Sequence, residues 1–151
     1  MKREIKFRGK ASHTGMWLYG DLIKIGNSYH ILGKDDMRED GHHITQDSDV
    51  PTWVDKETIG QFIGLLDKNE KEIYEGDILT KFANINKISD PELSDAEPEY
   101  CLTTVVYDDA AFKVTYNGKP DGVINYYNGA MVEYMEVVGN IHDNPELLKT
   151  E

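Results

Sequence analysis

The sequence predicts an all-β protein with very little helix, on three observations. Short runs rich in Val, Ile, Tyr and Phe recur along the chain, as in Leu102-Thr103-Thr104-Val105-Val106-Tyr107. Turn-forming residues separate these runs at intervals of about ten residues, the spacing of small β architectures. The only helical signals are single turns, at Asp90-Pro91-Glu92 and at Asn144-Pro145-Glu146-Leu147-Leu148, each with a capping side chain and a proline in the first helical position. The chain divides near Leu65 into an N-terminal β-subdomain, residues 1–65, and a C-terminal SH3-like small barrel, residues 66–151.

Each element has a local cause. Ile5 and Phe7 alternate with Lys6 and Arg8, which predicts a first strand whose apolar members face inward and whose cations face solvent. Ser12-His13-Thr14-Gly15 is a loop. Trp17 to Ile25 is a strand, with Gly20 expected as a bulge or kink. Gly26-Asn27 signals a hairpin, and Tyr29 to Leu32 returns from it. Residues 33–49 are polar and acidic, a long excursion. Pro51 to Thr58 leads the chain into its centre.

That centre, Thr58 to Thr80, reads as strand, turn, strand. Ile59, Phe62, Ile63 and Leu65 supply the first apolar run, and Ile73, Tyr74, Ile78 and Leu79 the second. Asp67-Lys68-Asn69 lies between them, and Asp and Asn close turns with their own side chains. If these three form a type I turn, the next residue sits at positive φ, where glycine is preferred. Glu70 stands there. A two-residue turn centred on Asn69-Glu70 meets the same difficulty.

Thr80 to Ile85 continues the strand after Gly76-Asp77, and residues 87–99 form a second acidic loop. Leu102 to Tyr107 and Ala111 to Tyr116 are strands of β-branched and aromatic residues. A turn over residues 117–122 separates them from Val123 to Tyr127, and Tyr134 to Ile141 completes the strands.

Several of these blocks together resemble the YopX family, small proteins of phages and prophages. They are Arg3-Glu4-Ile5-Lys6-Phe7-Arg8-Gly9, Trp17-Leu18-Tyr19-Gly20-Asp21-Leu22, Gly60-Gln61-Phe62, and Gly64-Leu65 with Asp67-Lys68-Asn69. Lys71 to Ile78 and Glu136 to Leu148 complete the set. The sequence departs from the family pattern at Glu70, where relatives usually carry glycine. The resemblance implies a phage or prophage setting and no particular activity.

Composition narrows the function classes. With 151 residues the chain buries roughly 70% of its unfolded surface, enough for one full core or two small ones. The start MKREIKFRGK is charged without an apolar segment behind it, unlike a secretory signal. No apolar run approaches the roughly 20 residues of a membrane-spanning helix. A cytoplasmic location is therefore expected. Cys101 is the single cysteine, which excludes an internal disulfide and any multi-cysteine metal site. Sixteen basic against 28 acidic side chains give a net charge of −12, and that field repels phosphate backbones. Nucleic-acid binding is disfavoured unless Lys2, Arg3, Lys6, Arg8 and Lys10 act as a cluster.

Candidate chemistry is sparse. His42, His43, Asp47 and Asp49 carry the donor types that zinc or manganese accepts, in a segment better explained as a solvated acidic loop. His142 and Asp143 are neighbours on an extended chain and point apart. Glu72, Glu75 and Asp77 gather carboxylates near Gly76, where ion pairs with Arg3 or Arg8 explain them better than acid–base catalysis does. An acidic approach disfavours a Cys101 thiolate. No phosphate loop, nucleophile elbow or zinc helix occurs, and no cofactor is expected. The first expectation is therefore a non-enzymatic interaction module that binds a host or phage protein and forms a homo-oligomer. Its contact surface is expected around Arg3, Arg8, Trp17, Tyr19, Glu75 and Asp77. A special form of this idea is an acidic surface that imitates nucleic acid and occupies a basic host protein. The alternatives are a small metal-dependent hydrolase and a nucleic-acid-binding SH3-like domain.

Overall fold

A computed structural model of the chain describes residues 4–33, 50–82, 100–116, 119–125, 130–131 and 135–148. It is mostly β, and the only helical elements among these residues are 3-10 turns at Lys56–Thr58 and Pro145–Leu148. The chain forms two compact units, Met1–Gly64 and Leu65–Glu151.

The first unit contains β1 (Phe7–Lys10), β2 (Trp17–Ile25), β3 (Ser28–Gly33), β4 (Thr52–Trp53) and the start of β5 (Gly60–Leu66). Their lateral order is β4-β3-β2-β1-β5, all neighbours antiparallel. Gly26 adopts φ 61 between Ile25 and Ser28. It stands first in a two-residue turn, where positive φ matches the twist of the paired strands. Beyond β4, Val54 forms a bridge with Ala11 at the end of β1. The amides of Ser12 and Asp55 donate to the carbonyls of Trp53 and Lys10, both at 2.9 Å. This return contact encloses a small core of Ala11, Leu18, Ile31 and Val54, with Phe7, Leu22, Tyr29 and Ile59 packed around it.

Two details of β1 and β2 differ from the sequence expectation. Lys6 and Arg8 are buried, at 4% and 5% exposure, while Ile5 is 59% exposed. The alternation expected for this strand is thus overturned at Ile5, Lys6 and Arg8. The physical reason for Arg8 is that its face of β1 is covered by the Trp17 ring, 4.7 Å from the guanidinium carbon. Nor does Gly20 make a bulge, since it pairs in continuous register with Phe7 and with Gly33. Glycine is required there for another reason. A Cβ on Gly20 would overlap the carbonyl oxygen of Leu32, with the carbonyl carbon only 2.9 Å away.

The second unit holds the end of β5, β6 (Glu72–Tyr74), β7 (Asp77–Phe82), β8 (Tyr100–Asp108), β9 (Ala111–Tyr116), β10 (Lys119–Asn125), β11 (Ala130–Met131) and β12 (Val137–Asn140). One sheet runs β11-β10-β9-β8-β7-β12. It is not closed, so the SH3-like barrel expected for residues 66–151 is an open sheet whose edges are β11 and β12. Ile73, Tyr74, Ile78, Leu79, Val105, Val114, Ile124 and Met135 are buried in this unit.

β8 changes partner along its length. Tyr100 to Thr104 pair with β7, and Val105 to Asp108 pair with β9. At the changeover, threonine hydroxyls take the place of ladder hydrogen bonds. The Thr103 hydroxyl donates to the Thr115 carbonyl at 2.7 Å and accepts from the Thr115 amide at 2.9 Å. The Thr104 amide donates to the Thr115 hydroxyl at 3.2 Å. Thr103 is 1% exposed, and a buried backbone group needs such a partner. Lys119 and Pro120 lie within β10, paired with Tyr116 and Thr115, and not in the turn expected over residues 117–122. A register shift between Pro120 and Gly122 accommodates the proline, which cannot donate to a ladder.

The central turn matches the first of the two expected geometries. The Glu70 amide donates to the Asp67 carbonyl at 3.0 Å, and the Asp67 amide to the Lys71 carbonyl at 2.8 Å. Glu70 itself sits at φ 63. Glu70→Gly is accordingly expected to raise stability by about 0.5–1 kcal/mol in a denaturant melt. An unchanged or lower midpoint would contradict that geometry. Gly20→Ala is expected to lose about 3 kcal/mol or more, because backbone must move to admit the methyl group. A melt within experimental error of the parent would refute the close approach to Leu32.

Candidate functional site

Residues directly opposed across a strand pair share a face of the sheet. In the first unit, Arg8 opposes Tyr19 and Lys10 opposes Trp17. Ile23 opposes His30, and His30 opposes Trp53. All of these lie on the face opposite the Ala11–Leu18–Ile31–Val54 core. The outer face of the unit therefore carries both tryptophans of the protein, together with Arg8, Lys10, Tyr19 and His30.

Local contacts hold these side chains in place. The Arg8 guanidinium carbon lies 4.7 Å from the centroid of the Trp17 ring, and the Lys10 ammonium 5.5 Å. A cation over the indole face is attracted by the ring quadrupole, by about 2 kcal/mol when desolvated, and Arg8 is buried. Trp53 meets His30 edge to face, with ring centroids 5.3 Å apart and planes at 82°. His30 is buried and its Nδ1 has no hydrogen-bond partner, whereas Trp53 is 56% exposed. The Ser12 hydroxyl donates to the Asp55 carboxylate at 3.0 Å.

At one end of the unit, Tyr29 caps the core. The Lys24 and Lys56 ammonium groups stand over its ring at 5.7 and 5.8 Å.

Of the residues expected from the sequence to form a contact surface, the structure brings Arg8, Trp17 and Tyr19 together. Arg3 lies outside the described residues. Glu75 and Asp77 belong to the second unit, where Asp77 is buried at 2% exposure. One of its carboxylate oxygens accepts the Tyr74 amide at 2.8 Å, which braces the turn at Gly76, φ 90. Glu72 accepts a hydrogen bond from the Tyr74 hydroxyl at 3.3 Å. The amides of His142 and Asp143 both donate to the Asn140 side-chain oxygen, at 3.0 and 2.9 Å. These neighbours therefore sit in an asparagine-held turn. Cys101 is half-buried in β8. His42, His43, Asp47 and Asp49 lie outside the described residues. Among the described residues, no group of three or more His, Cys, Asp or Glu is placed to hold a metal ion.

His30 and Trp53 were not singled out by sequence, and Lys10 only as a member of the basic cluster near the N-terminus. Trp53 lies in a two-residue strand too short to show periodicity. His30 gains its place only through pairing with both β2 and β4.

The YopX family model, described as YopX protein, matches residues 6–149. The chain belongs to the YopX family. This YopX protein is similar in fold to the crystal structure of protein EF1440 from Enterococcus faecalis. The two are 24% identical over 97% of this chain and 99% of that one, with a TM-score of 0.53. No curated protein matches the chain. Among the described residues of this YopX protein, no helix is long and apolar enough to cross a membrane.

Proposed function

We propose that this YopX protein is a non-enzymatic protein-interaction module of a phage or prophage, acting in the bacterial cytoplasm. Its contact surface is the outer face of the first unit. The observation that carries this reading is Trp53, with more than half of its surface exposed on a face that also holds Trp17, Tyr19 and Arg8. Trp, Tyr and Arg dominate the energetics of protein–protein contacts because large rigid rings bury much area at low entropic cost. Trp17 is already held by its cations, so little ordering remains to be done on binding.

A second reading is favoured by the distribution of charge. Residues 1–64 hold nine basic and ten acidic side chains, whereas residues 65–151 hold seven basic and 18 acidic. The second unit thus carries nearly all of the −12, which supports an acidic regulator that occupies a basic host protein.

Both readings are tested by capture from a bacterial lysate on immobilised protein, comparing wild type with Trp53→Ala at low and high salt. The first expects a captured protein that Trp53→Ala no longer retains. Capture that is equal for the two proteins would sink it. The second expects basic proteins whose capture survives Trp53→Ala and fades steeply with salt. Capture indifferent to salt would exclude it.

A further inference from the structure

We infer that His30 is a pH-sensitive latch beneath Trp53: neutral His30 keeps the indole packed on it, and protonation releases the indole to solvent. The inference rests on the interaction-module reading and names how its contact surface is regulated. His30 is 5% exposed, and its Nδ1 is buried without a hydrogen-bond partner among the described residues. The large majority of buried side-chain polar atoms are paired, so this nitrogen is an exception that calls for a cause. Its cover is Trp53, which opposes His30 across β3 and β4 and meets its ring edge to face, with centroids 5.3 Å apart. Trp53 is 56% exposed and belongs to a strand of two residues. An indole more than half in water gives up little contact when its side chain changes rotamer.

The charge on the imidazole decides which position of the indole is favoured. A neutral imidazole carries one N–H and one bare nitrogen, and burial tolerates a bare acceptor better than a bare donor. Protonation turns Nδ1 into a donor and adds a full charge, and an unpaired buried charge is costly.

The groups around His30 do not relieve that cost while Trp53 is in place. On β2, Ile23 opposes it, with Asp21 and Ile25 on the two diagonals. On β3, Ser28 and Leu32 share its face. On β4, Asp55 is diagonal to it and accepts the Ser12 hydroxyl. Lys10 of β1 is turned onto the Trp17 ring. Asp21 and Asp55 are exposed, and neither carboxylate reaches Nδ1. They favour an imidazolium that has emerged to the surface, not one sealed under the indole. The closed form therefore binds fewer protons than the open form, so lowering the pH opens the latch and raising it closes the latch.

Fluorine NMR of the full chain labelled with 5-fluorotryptophan tests this. The two tryptophans give two signals, assigned with Trp53→Phe. Spectra are followed from about pH 8 to pH 5, the range in which histidine changes charge, in light and in heavy water. The solvent isotope shift reports water at the ring. The Trp53 signal is expected to titrate, and its isotope shift to grow as the pH falls. The growth stays below about twofold, because Trp53 is already 56% exposed. His30→Gln and His30→Phe are expected to abolish both changes, with circular dichroism showing that each variant is folded. The ring carbon shifts of His30 in the wild type give a second reading, expected to share the midpoint of the Trp53 change. A signal that moves with pH at constant isotope shift shows a charged imidazole under an unmoved indole, which overturns the latch. So do a flat signal, a response that survives the His30 variants, and separate midpoints in the wild type. Loss of the latch leaves Trp53-dependent lysate capture at neutral pH intact. Failure of the interaction reading shows instead as capture indifferent to Trp53→Ala, whatever the fluorine spectra give.

Discussion

The carboxylate of Asp67 accepts hydrogen bonds from three backbone amides, and much of the second unit is arranged around it. One oxygen takes the amides of Asn69 and Lys71, at 2.8 and 2.9 Å. The other takes the amide of Val137 at 2.9 Å. The first two close the turn between β5 and β6. The third ties that turn to the start of β12, 70 residues away in sequence. The Lys68 amide adds a bond to the Met135 carbonyl at 2.9 Å, and Lys68 pairs with Glu136. Asp67 is 5% exposed, so these donors have no water to turn to if the carboxylate is lost.

The same device recurs at other places where a ladder is interrupted. Asp77 braces the turn at Gly76, Asn140 gathers the amides of His142 and Asp143, and the Thr103 and Thr115 hydroxyls stitch β8 to β9 where β8 changes partner. Short strands leave many backbone groups at their ends, and side chains with two acceptor sites satisfy them without adding length. In the first unit, the return of Val54 to Ala11 does comparable work through backbone alone. Because that return places an apolar core on one side of the strands, the tryptophans and their cations are left on the other side. The aromatic outer face is thus a consequence of how the core closes.

How much of this was legible in the sequence depended on range. Local signals served well. Asp67-Lys68-Asn69 marked a turn because Asp and Asn bond their own backbone, and the positive φ expected after it is found at Glu70. Gly26-Asn27 marked a hairpin, and Ala111 to Tyr116 is a strand with those limits. Signals that need a partner were lost. Lys6 and Arg8 looked solvent-facing because alternation shows which side chains share a face and not what covers that face. Gly20 looked like a bulge because the Leu32 carbonyl that forbids a side chain lies in another strand. The outer face itself was half visible. Arg8, Trp17 and Tyr19 sit on paired strands joined by a short loop, but His30 joins them through the pairing of β3 with β2, and Trp53 only through the pairing of β4 with β3.

The measurement that bears most directly on this account is equilibrium unfolding of Asp67→Asn by urea. The substitution keeps the size of the side chain but leaves one acceptor oxygen where two serve three amides. A loss of about 2–4 kcal/mol is predicted, since at least one buried N–H then faces an NH2 group. A loss below about 0.5 kcal/mol would show that the turn and β12 are held by something other than this carboxylate.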